Sequence, residues 1–286
     1  LYSAIGLAAA SLEQHLDFNS FLEKTMVPEV QIHDPEYRLL RRRIAVVLGQ
    51  WVPVKPGELN RDAVYQIFQH LLNKDDPLND LVVRITAGRQ LSKVLDPWEF
   101  TAEGFMPYAQ SILGSLMALV QEVDAAETKM GLLDTVRTAV VKMENHVSFI
   151  HLAMTQTSSN EYQIGVFSDQ ILSLLPPLWE ESGDEHLMKQ AILTLLSSLI
   201  HSLKQDSARY HALILPLIQS SVHPESVSHA QKLIVENLDS LSLTLLGYHR
   251  LPFGRGIGAL DGYYHANPEP CLARNPFPSP CRTPHS

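Results

Sequence analysis

An Asp-Pro pair occurs at Asp34-Pro35 and again 42 residues later at Asp76-Pro77, and the residues that follow the two pairs are alike. An arginine stands eight residues after each Asp (Arg42, Arg84), and an alanine three residues beyond it (Ala45, Ala87). A cation with an apolar residue three positions on returns at Lys129/Leu132, Lys189/Ile192 and Lys232/Val235, giving successive cation spacings of 42, 45, 60 and 43. The long interval holds the polar stretch TQTSSNEYQ (155–163), read as an insertion. Spacings in the forties are those of two-helix solenoid repeats. A single hairpin cannot bury its own apolar stripe, so repeats of this kind must stack and share a core. The template then has a physical reading. Small Ala45 and Ala87 let helices approach, while the cation buries its stem and sends its head to an acid of the same turn or the next.

The rest of the chain agrees with an all-α fold. Up to residue 246 nearly every segment has helical periodicity; in 81–95, Leu81, Ile85, Gly88, Leu91, Val94 and Leu95 fall on one face. Period-two alternation bounded by hairpin turns is absent. Breakers divide the chain into about twelve helices: 2–16, 18–26, 35–52, 59–73, 77–95, 99–122, 126–143, 146–156, 161–175, 185–204, 207–221 and 224–246. Asp34 and Asp76 are expected to cap helices that begin at the following proline, where a missing N–H costs nothing. Pro176-Pro177 is expected to stop one. The expected architecture is therefore an α-solenoid of HEAT-like hairpins over 1–246. Residues 247–286, with seven prolines and five glycines, are expected to form a disordered tail.

Charge and cysteine usage narrow the function. The net charge of -9 disfavours direct nucleic-acid binding. Residues 1–246 carry 18 basic against 29 acidic side chains, which suits basic protein partners. Both cysteines, Cys271 and Cys281, lie in the tail without zinc spacing, and no Asn-x-Ser/Thr sequon occurs, so a reducing compartment is expected. Apolar runs such as 112–120 fall far short of the roughly twenty residues of a membrane span. The opening LYSAIGLAAASLEQ has no basic flank and reads as the middle of a longer chain rather than a signal peptide.

Few motifs compete. DDPLND (75–80) resembles the aspartate-rich magnesium site of all-helical prenyl-transfer enzymes, but Pro77 separates Asp75 and Asp76 from the helix carrying Asp80, and no second acidic cluster has metal spacing. FGRGIGALDG (253–262) has neither a preceding strand nor a following helix, as a dinucleotide site requires. The histidines are dispersed, and His146 and His151 are out of phase for a shared metal. No catalytic, metal or cofactor site is expected. Trp51, Trp98 and Trp179 are expected to anchor hairpin ends. The acids of EESGDE, Glu180, Glu181, Asp184 and Glu185, read either as a solvated turn or as contacts for a basic cargo.

Longer strings carry a resemblance. LYSAIGLAAASLEQHLDF (1–18), RRRIAVVLGQWV (41–52), DLVVRITAGRQL (80–91), FMPYAQSILGSLMALV (105–120), ETKMGLLDTV (127–136) and LLPPLWEES (174–182) are similar to the importin-eleven branch of the importin-β (karyopherin-β) family. The resemblance covers about residues 1–246 and implies a HEAT-repeat nuclear transport receptor, of which this would be a middle segment. It further implies protein cargo on a concave face, release governed by Ran-GTP, nucleoporin contacts, and shuttling between nucleus and cytoplasm. Two other readings stay open here: a HEAT scaffold of a phosphatase or chromosome-associated assembly, and the magnesium-dependent prenyl-transfer enzyme.

Overall fold

A computed structural model describes residues 1–55, 59–153 and 161–221 of the chain. Among them every regular element is helical. Helices α1 (Tyr2–Leu7) and α2 (Ala9–Leu12) are followed by α3 (Phe18–Phe21), which continues through a π turn (Leu22–Met26) into α4 (Val27–Val30). Then come α5 (Arg38–Trp51), α6 (Arg61–Leu72), α7 (Leu81–Leu95), α8 (Ala102–Glu122), α9 (Ala126–Ala153), α10 (Glu161–Glu181), α11 (His186–Leu203) and α12 (His211–Ser221).

The departures from expectation have identifiable causes. The segments expected at 126–143 and 146–156 form the single helix α9, because no Gly or Pro stands between them. Pro176-Pro177 does not stop α10, which runs on to Glu181. Leu175, Leu178 and Trp179 are all buried there, and their packing outweighs the two lost backbone bonds. Asp34 does cap, accepting from the Glu36 N–H at 2.9 Å, but it opens a short 3-10 turn before α5. Asp76 does not cap α7. Asp80 does, accepting from the Val83 N–H at 2.9 Å, and Pro77 lies in the preceding turn. The helix expected at 224–246, most of the 155–163 insertion and the tail expected at 247–286 lie outside the described residues. Contacts divide the chain into Leu1–His249 and Arg250–Ser286, the second wholly outside them.

Helices α1, α5, α7, α9 and α11 lie side by side in one row, and α4, α6, α8, α10 and α12 in a second. One apolar core runs between the rows. The first row packs closely because glycine permits it. A Cβ on Gly49 would stand 2.4 Å from Oε1 of Gln90, and one on Gly88 would stand 2.5 Å from a Leu132 methyl. Ala45 and Ala87 are both fully buried. At the chain start, Trp51 stacks on Phe18 with centroids 4.4 Å apart and donates its indole N–H to the Ile5 carbonyl at 3.0 Å. Trp179 is buried as well. Trp98, expected to anchor, is instead 87% exposed in the α7–α8 turn, where Phe100 and Phe105 fill the interior in its place. No described helix is long and apolar enough to cross a membrane.

Urea unfolding tests this division of labour. Trp51→Ala should destabilise the chain by about 3–5 kcal/mol, and Trp98→Ala should stay within about 0.5 kcal/mol of the parent.

Candidate functional site

The helical phase of three first-row helices, α5, α7 and α9, drives one cation into the core near the helix start. On α5 it is Arg41, whose side chain has no exposure; it meets the Asp76 carboxylate at 2.8 Å and Asn79 Oδ1 at 2.8 Å. On α7 it is Arg84, which forks onto Glu122 at 2.6 and 2.7 Å and donates its Nε–H to the Asn79 carbonyl at 3.1 Å. On α9 it is Lys129, which meets Glu181 at 2.5 Å. Each acid belongs to the junction of the next hairpin, so three pairs form a ladder with one rung per repeat. Such burial costs several kcal/mol per ion unless the charge is met. The acids record that. Burial pushes the Asp76 carboxyl up, but the Leu78 N–H and the Arg41 guanidinium outweigh it and hold it below the usual range. Arg84 holds Glu122 down likewise. His70, whose Nε2 is 3.5 Å from Asp76, is kept toward its neutral form by burial and by Arg41.

The template read from the sequence is one residue out of register on α5. Arg42 is exposed and donates to Thr86 Oγ1 at 3.2 Å; the inward cation is Arg41. The cause is that the two Asp-Pro pairs are not equivalent, since α5 starts four residues after Asp34 and α7 five after Asp76. Lys189 of α11 lies over the Trp179 ring, 5.1 Å from its centroid, and Lys232 is outside the described residues. The ladder acids themselves were missed by sequence reading, although Asp76, Glu122 and Glu181 each stand in a helix junction after a repeat's second-row helix. Two of the three DDPLND carboxylates are occupied, Asp76 by Arg41 and Asp80 by the α7 N-terminus, while Asp75 is exposed. Among the described residues no group of three or more His, Cys, Asp or Glu side chains is arranged to hold a metal.

The acidic surface expected from the net charge is an edge rather than a face. Exposed Asp75, Asp80, Asp124, Glu127, Glu180, Asp184 and Glu185 all lie where second-row helices turn into first-row ones. Asp75, Asp80, Asp124, Asp184 and Glu185 precede a helix N-terminus and Glu127 stands in a first turn, positions that favour acids; Glu180 is in the last turn of α10. Of the four acids singled out in EESGDE, Glu181 is bound by Lys129, while Glu180, Asp184 and Glu185 form no ion pair among the described residues. Gly183 supplies the turn's left-handed backbone with φ 49°.

Arg41→Ala should cost about 3–5 kcal/mol in urea unfolding because it strands Asp76 in the interior, whereas Arg41→Met combined with Asp76→Leu, which removes both charges, should cost far less. The pH dependence has a fixed sign. Asp76 and Glu122 both have folded values below their unfolded ones. The stability they contribute is complete above about pH 5 and is lost as pH falls through the lowered values. Glu122→Gln should therefore flatten the acid limb of a stability–pH curve.

Comparison with known proteins agrees with this architecture. A family model described as Importin-11-like, TPR repeats, matches residues 190–244. Importin-11 of Mus musculus and of Homo sapiens are each 31% identical over 245 residues, which is 86% of this chain and 23% of theirs. Importin beta-like protein kap113 of Schizosaccharomyces pombe is 26% identical over 257 residues, 88% of this chain and 24% of its own. The structure of Lph2, described as a novel bidirectional nuclear transport receptor in S. cerevisiae, matches with a TM-score of 0.73 at 23% identity, over 88% of this chain and 24% of that one. The chain thus spans about a quarter of the length of these relatives. With its two helical rows and the matching strings along them, the chain belongs to the importin-β family.

Proposed function

We propose that the chain is a cargo-binding portion of a nuclear transport receptor that shuttles between nucleus and cytoplasm. Protein cargo would be held reversibly along the stack and released when Ran-GTP engages the receptor, with nucleoporin contacts made by the protein as a whole. The observation that carries this reading is the unneutralised acid at successive hairpin junctions, on a fold shared with transport receptors. Glu180, Asp184 and Glu185 offer carboxylates to a basic segment, and the net charge of -9 draws such a segment in over about a Debye length. A solenoid adds a means of release. Each hairpin touches only its neighbours, so small rotations accumulate along the stack and a partner bound at one stretch alters the surface of another.

The longest natural product carrying this chain tests the proposal. It should bind Ran loaded with GTP but not GDP, and Ran-GTP should displace a bound lysine-rich peptide. The triple change Glu180→Lys, Asp184→Lys and Glu185→Lys should weaken that peptide about ten-fold without lowering the melting temperature. Indifference to Ran-GTP would refute the receptor reading.

A further inference from the structure

Charge is sorted between the faces of the stack. Helices α5 and α7 together hold seven cations and no acid, in a chain of net charge -9. Arg41 and Arg84 turn inward to the ladder. The other five, Arg38, Arg42, Arg43, Arg89 and Lys93, are on the solvent side. Only Arg89 has a carboxylate partner among the described residues, exposed Glu127 at 3.3 Å. Arg38, Arg43 and Lys93 have none. The two helix faces adjoin, as the Arg42–Thr86 hydrogen bond shows. Among these cations stand exposed aliphatic side chains: Leu39 at 61% and Val82 at 51%. Leu39 lies one turn before Arg43 on α5, and Val82, Arg89 and Lys93 share one face of α7.

We infer that the solvent face of α5 and α7 is a docking surface for an acidic peptide segment that carries aliphatic side chains. The five cations supply complementary charge, and Leu39 and Val82 supply an apolar contact that a phosphate backbone would not use. A nucleic acid carries a charge at every residue and would also pass the acids at the starts of the two helices, Asp34, Glu36 and Asp80. A peptide can set its carboxylates against the arginines and its aliphatic groups between them. This inference is independent of the receptor reading, because it concerns a different face and a partner of opposite charge from the basic segment proposed for the acidic edge.

Fluorescence anisotropy with a short labelled peptide of repeated Glu-Glu-Leu triplets tests it on the whole chain. The peptide should bind, more weakly as salt rises, and a Lys-Lys-Leu peptide should not compete at this face. Arg43→Ala combined with Lys93→Ala should weaken binding about ten-fold or more. Neither side chain has a partner among the described residues, so the melting temperature should hold. Leu39→Ser should also weaken the peptide, and Lys24→Ala, an exposed cation elsewhere, should not. Parent-like binding by the double variant, or absence of any salt-dependent binding, overturns the inference. So does an oligouridylate that binds as tightly as the peptide and is lost in the same variant, which would assign the face to nucleic acid instead.

Discussion

A cation that the helix phase carries into the core has to be answered from the neighbouring hairpin, and that requirement organises the described stack. Arg41, Arg84 and Lys129 each enter the space between the two rows, and the carboxylate that meets each one comes from the next junction. The rungs are not the main source of stability. Their net worth is small beside apolar burial at roughly 25 cal/mol per Å², and replacing both partners by apolar groups is often neutral. What they add is register. A hairpin displaced along its neighbour by a turn would leave a buried charge unmet, at a cost of several kcal/mol.

The ladder also explains how charge is distributed outside. Each rung consumes one acid per junction and leaves the others, among them Asp75, Asp124, Glu180, Asp184 and Glu185, facing solvent at one edge. On the helices, α5 and α7 spend two arginines on rungs and keep five cations for their outer faces. A chain acidic in total therefore presents surfaces of both signs.

Much of the architecture was legible in the sequence. The all-helical class, the stacked hairpins and the buried Ala45 and Ala87 follow from periodicity and from a recurrence in the forties. Phase within a helix was harder. Three consecutive arginines, Arg41 to Arg43, leave the inward one undecided until the start of α5 is known, and that start depends on whether the preceding turn is 3-10 or open. The apolar face read on 81–95 began with Leu81, which is partly exposed, because Arg84 holds the inward position beside Val83. Local rules also misjudged Pro176-Pro177 and Trp98, where tertiary packing rather than residue preference decides the outcome. The acids of the ladder could not be read at all without knowing which junction faces which helix start.

The three rungs are not alike. The side chain of Asp76 is 7% exposed, that of Glu122 39% and that of Glu181 59%. Water and dissolved ions reach the last rung far more easily than the first, so the electrostatic stiffness of the joints declines from α5 toward α11. Under tension or torsion the stack would act as a rod of graded compliance, flexing at the joint between α9 and the end of α10 while the joint between α5 and the start of α7 keeps its shape. Added electrolyte would make that gradient steeper.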